Sequence, residues 1–96
     1  MTRRYNQCQL TVPKGIWDIS KIDPTKEIRL YVKEDVFFID NPSDKHHNKE
    51  CLGVVKLDPA HRFFIHRQIR RIYNLNSQTQ FLCYLCEDVI SFKIIR

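Results

Sequence analysis

The chain has little glycine and little proline, two and four residues among 96. That scarcity excludes a long flexible or proline-stiffened linker. It also excludes a glycine-rich loop of the kind that cradles nucleotide phosphates. Long apolar runs are missing: none approaches the roughly 20 residues a membrane-spanning helix requires. No apolar stretch follows Met1-Thr2-Arg3-Arg4-Tyr5-Asn6, so a secretory signal is not expected and a cytoplasmic location, with no membrane partner, is. Serine is scarce, and no pair of carboxylates stands in a setting suited to acid–base work. The sequence offers no enzyme template and no cofactor site.

Cysteine is present four times, as Cys8, Cys51, Cys83 and Cys86. In a cytoplasmic chain these are expected to be reduced thiols. Cys83 and Cys86 have the spacing of a zinc half-site that His46, His47, Cys51 or Cys8 could complete. The spacing falls inside an expected strand, however, where residues three apart point to opposite faces. Cys83 is therefore expected to pack as a small hydrophobe, and no metal site is expected.

What is there is the composition of a folded domain, 43% hydrophobic, 28% charged and 11% aromatic; a disordered chain would have fewer bulky apolar residues. The net charge of +5 is unevenly placed. Residues 1–48 carry eight Lys/Arg against seven Asp/Glu, and residues 49–96 carry eight against four. Four arginines and no acid lie between His61 and Arg71. A basic cluster of that density suggests an anionic partner, nucleic acid being the usual one.

The chain also repeats itself. Displaced by 53 positions, Val12–Asp40 lies on Ile65–Lys93 without a gap and with six identities in 29 positions, among them Tyr31 on Tyr84 and Glu34-Asp35-Val36 on Glu87-Asp88-Val89. Chance gives about two. The apolar pattern repeats as well: Ile22 meets Leu75, Ile28 meets Phe81, Val32 meets Leu85, Phe37 meets Ile90 and Ile39 meets Phe92. The organisation read from this is a first repeat over 1–42, a polar connection over 43–50 and a second repeat over 51–96, together one compact domain. His46 and His47 in the connection are expected to be solvated.

Within the second repeat, strands are expected at Leu52–Leu57 and Arg62–Ile65, joined by turn residues Asp58-Pro59-Ala60-His61. A short helix follows, with Ile69, Ile72 and Tyr73 as its buried stripe. Asn74 suits the left-handed residue that ends a helix. A hairpin over Gln80–Cys86 and Val89–Ile94 completes the unit. The first repeat reads alike: a strand at Gln7–Val12, a helix marked by Ile16 and Ile19, and a hairpin over Glu27–Val32 and Val36–Asp40. A unit of about 40 residues cannot bury both faces of its hairpins alone and must pack on another copy.

The run from Gly53 through Arg62 and Arg70-Arg71 to Leu75 resembles the signature of the AbrB/SpoVT/MazE superfamily, and the two copies in one chain resemble the MraZ arrangement within it. Asp58 and Arg62 match the Asp-x-x-x-Arg motif of that arrangement. His61 and His66 stand where the signature has Gly and Pro, and Asn74 replaces the Gly that ends the helix. The resemblance implies a mainly β fold with short helices, a swapped-hairpin β-barrel of two tandem ββαββ-type repeats. It implies a sequence-specific DNA-binding transcriptional regulator that acts on double-stranded DNA as a homodimer or higher homo-oligomer.

Carried over position by position, the DNA contacts are Lys56, Arg62, Arg70 and Arg71; Arg67 is added for its proximity. Arginine suits the role because its planar fork binds a phosphate or a guanine edge bidentately. His61 and His66 are either further phosphate contacts or ordinary turn residues. In the first repeat Gln9 takes the place of Arg62, and Trp17 and Asp18 take those of Arg70 and Arg71. That copy is expected to be a structural partner, with Trp17 in core or interface packing. The alternative is a protein-interaction module of the same fold without DNA binding. An antitoxin role fits less well, because no toxin-covering tail is expected beyond the last strand, and a zinc-binding adaptor ranks last.

Overall fold

The computed structural model describes residues 2–4 and 9–95. Eight strands and two six-residue helices follow one another as β1 (Thr2–Arg4), β2 (Gln9–Thr11), α1 (Lys14–Ile19), β3 (Ile28–Lys33), β4 (Val36–Asp40), β5 (Glu50–Val55), β6 (Arg62–Phe64), α2 (Arg67–Ile72), β7 (Gln80–Cys86) and β8 (Val89–Ile95). Six strands form one sheet in the order β1-β7-β8-β4-β3-β5, and β2 and β6 pair separately as a two-stranded ribbon.

Alternation decides which side of the sheet is the core. Ile28, Leu30 and Val32 on β3, Phe37 and Ile39 on β4, Phe81 and Cys83 on β7, and Ile90, Phe92 and Ile94 on β8 share one apolar cluster. The ribbon closes over that face with Leu10, Val12, Phe63 and Ile65, all buried. Phe63 meets Phe92 edge-on, ring centres 5.6 Å apart. The opposite face holds a smaller cluster of Tyr31, Phe38 and Val89.

The 53-residue displacement maps β2 onto β6 and α1 onto α2 residue for residue. In the ribbon Leu10 lies opposite Phe63, and in the sheet Phe38 of β4 lies opposite Ser91 of β8. Both are pairs of residues 53 apart. An antiparallel pair centred on equivalent positions is what a local two-fold axis produces, so the two halves interlock through both layers. At Ser91 the hydroxyl bonds the Val89 carbonyl at 3.0 Å, which satisfies a polar group where the first half has Phe38.

Three expectations need correction. The barrel is not closed: β1 and β5 end the sheet, and the ribbon strands bond to each other and not to those edges, so the ring of strand pairs is incomplete. The helical stripe is narrower than expected. Ile69 is buried and Ile16 and Tyr73 are half-buried, but Ile19 and Ile72 are 66% and 72% exposed. A helix of under two turns brings one position against the sheet, and the residue three further on swings past its rim.

His46, expected in solvent, is buried. It lies in a 3-10 turn (Asp44–His46), its Nε2 2.7 Å from Asp40 Oδ2 and its ring stacked on Tyr31. The connection therefore caps the second face of the sheet. Strand limits shift slightly: the strand expected over Leu52–Leu57 runs Glu50–Val55, and Gln7 and Cys8 lie outside the described residues. Cys83 sits in the core and Cys86 is exposed at the strand end. No helix among the described residues is long and apolar enough to cross a membrane.

Candidate nucleic-acid interface

Helix α2 carries the basic cluster because both its ends are secured. At its start, His66 Nδ1 accepts the Gln68 N–H at 3.4 Å. At its end, Asn74 adopts φ 56°. There the Leu75 N–H reaches the Arg70 carbonyl at 2.8 Å and the Asn74 N–H reaches that of Arg71 at 3.3 Å. This pair of bonds is the Schellman arrangement, which requires a left-handed residue after the helix. Ile69, buried against the core, fixes the rotation of the helix and turns its arginines outward.

Arg67, Arg70 and Arg71 together line a shallow depression of about 450 Å³, completed by Asn74, Leu75 and Asn76. No carboxylate lines it, and among the described residues none of the three arginines is in an ion pair. Arg70 is half-buried, and its Nε is shielded from solvent with no hydrogen-bond partner.

The other two expected cations stand differently. Arg62 begins β6 and bonds Asp58 through Nε at 2.8 Å. The Asp58 carboxylate also accepts the Arg62 and Ala60 backbone N–H groups, both at 2.9 Å. These bonds, the Arg62 backbone N–H first, hold the Asp58 carboxyl below its ordinary range. The Asp-x-x-x-Arg spacing thus closes a turn on itself. Lys56, just beyond β5, lines a separate groove with Trp17, Lys26, Glu27, Asp58 and His61. There Trp17 of α1 stacks on His61, ring centres 4.4 Å apart, and His61 takes φ 59° within the turn.

The structure gathers Arg67, Arg70 and Arg71, gives Arg62 a carboxylate of its own, and places Lys56 in another groove. Asn74 and Asn76, which complete the lining of the α2 depression, are read in the sequence only as the end of the helix and the start of the next turn. Their signal was their position three and five residues beyond Arg71. On the equivalent helix α1, the positions of Arg67 and Arg71 hold Lys14 and Asp18, which approach each other to 3.9 Å. No group of three or more His, Cys, Asp or Glu side chains that could hold a metal ion occurs among the described residues. No protein-family model matches the chain, and no curated protein or solved structure matches it either.

Proposed function

We propose that the protein is a sequence-specific DNA-binding regulator that lays the α2 face, with Arg67, Arg70 and Arg71, against double-stranded DNA. The observation that carries this reading is the depression lined by Arg67, Arg70, Arg71, Asn74 and Asn76, with no carboxylate in its lining. A guanidinium fork binds phosphate oxygens bidentately, so a lining of arginines with no carboxylate suits that anion. The AbrB-like signature and the interlocked halves agree with it: swapped-hairpin pairing, with each half completing the other, is the arrangement the resemblance implies. Lys56, in its own groove, and Arg62, bonded to Asp58, stand outside the depression itself. Arg62 joins it only when Asp58 yields to phosphate.

A salt titration of binding to mixed-sequence and selected duplexes tests the reading. Neutralising each phosphate makes log K fall with log salt by about 0.9. The Arg70→Ala, Arg71→Ala double variant should flatten that slope by about 2 and weaken binding roughly tenfold or more. Its thermal unfolding should stay close to that of the parent, since neither side chain belongs to the core. Binding unaltered by the double variant would leave the same fold acting as a protein-interaction scaffold.

A further inference from the structure

A larger concavity, of about 740 Å³, has no lining residue from α2. One side comes from the first repeat: Trp17 of α1, Pro24 in the loop after it, and Ile28 at the start of β3. The other comes from the chain between β5 and β6, through Leu57, Pro59 and His61. Ile28 belongs to the buried core, and Trp17 and Leu57 pack against that core, so these surfaces are preformed. His61 is fixed as well: its N–H donates to the Asp58 carbonyl at 2.9 Å, and its ring lies within 19° of parallel to that of Trp17. Small-molecule sites are mostly apolar clefts of about 300–1,000 Å³ with a few polar groups, and this groove is of that kind.

We propose that this groove binds a small aromatic carboxylic acid in its ionised form. The sign of the ligand follows from the charges. Two lysines and two carboxylates line the groove, but arginines outside the lining engage both carboxylates. Glu27 accepts from Arg29 Nε, and Asp58 accepts from Arg62 Nε and from two backbone N–H groups. The nearby Asp23 carboxylate is taken up by the backbone N–H and hydroxyl of Thr25. Lys26 is exposed and, among the described residues, in no ion pair. An ammonium without a fixed counter-ion beside an apolar cleft favours an anion there. Lys56 lines the groove too, but Lys26 has no part in the proposed DNA contact.

The body of the ligand follows from the walls. The indole of Trp17, the imidazole of His61 and the rings of Pro24 and Pro59 are rigid surfaces. An aromatic ring packs on such surfaces by its face or its edge and has little conformational freedom to lose. The head group follows from the cation. A lysine meets a carboxylate as a point charge and lacks the planar fork with which arginine grips a phosphate. The groove thus differs in position and in chemistry from the arginine face on α2, and its ligand is a second one, additional to DNA.

The chain has a single tryptophan, so one indole N–H resonance reports on the groove. The full chain is titrated, without DNA, with naphthoate, a two-ring aromatic carboxylate. The Trp17 resonance should shift to saturation with a Kd below about 1 mM, a usual affinity for a ligand of that size. Naphthamide, the same rings without the charge, should bind at least about fivefold more weakly. Lys26→Glu, at an exposed position, should weaken naphthoate about tenfold and leave naphthamide within about twofold. The Arg70→Ala, Arg71→Ala variant should bind naphthoate as the parent does. Any of four results overturns the proposal: no saturable shift up to about 10 mM, equal affinity for acid and amide, unchanged affinity in Lys26→Glu, or binding lost with the α2 arginines. The salt slope of DNA binding is read separately, so failure here is distinguishable from failure of the α2 reading.

Discussion

The hydrogen-bonding roles of the two His46 ring nitrogens follow from their neighbours. Lys49 Nζ lies 3.2 Å from Nδ1, and an ammonium can only donate, so Nδ1 accepts and the ring proton sits on Nε2, pointed at Asp40. His46→Ala removes the donor that satisfies a buried carboxylate and leaves Lys45, 3.3 Å away, as its remaining cation. We expect a loss of about 2–4 kcal/mol in urea unfolding. This contact was hidden in the sequence because a polar doublet in a polar segment has no periodicity to betray its burial. The hint lay in Asp40, which shares a strand face with Phe38 but is charged. Asp58 gives the residue-scale pH effect. Its carboxyl is held below the ordinary value near 3.8, chiefly by the Arg62 backbone N–H. A depressed folded-state pKa stabilises the turn above the unfolded value, and that stability is lost as pH falls through the lower folded value. The Asp58 carboxyl carbon, followed by NMR, should titrate with a midpoint below that of an unstructured aspartate. A midpoint at the ordinary value would mean that the turn is not closed in solution.

Among the elements, strands were legible and helix burial was not, for one reason. A strand of five to seven residues completes several periods of two, whereas a six-residue helix completes fewer than two periods of 3.6 and leaves its facing ambiguous. β4 and β7 therefore run as expected, while Ile19 and Ile72 escape their stripe. Turn chemistry was half legible. Asn74 supplies the left-handed residue after α2, but the β7–β8 turn uses Glu87 and Asp88 at φ 52° and 67°, where Asn-Gly is the favoured pair for a two-residue hairpin turn. Glu87→Asn with Asp88→Gly should accordingly raise stability by about 1 kcal/mol, read as a higher urea midpoint at constant slope. Losing the exposed ion pair of Lys21 with Asp88 subtracts little from that gain.

On the scale of the whole molecule, a near-symmetric scaffold carries an asymmetric surface. The repeat made the interlocking readable, since a unit too small to cover its own hairpins must borrow a partner. Openness was not readable, because closure depends on where the ribbon bonds and not on which residues are apolar. The asymmetry has a consequence for the proposed DNA contact. α2 offers Arg67, Arg70 and Arg71, whereas the equivalent positions on α1 are Lys14, Trp17 and Asp18, of which Lys14 and Asp18 offset each other and Trp17 is engaged with His61. Among the described residues one chain should therefore present one such arginine face, and selection from random duplexes by a single chain should return a motif without internal two-fold symmetry. Asp18→Arg replaces the acid that α1 sets against its own lysine. If the pseudo-axis points both helices toward the same duplex, this variant should bind more tightly and steepen the salt slope by about 1. An unchanged slope would put α1 away from the DNA and confine the contact to the second half.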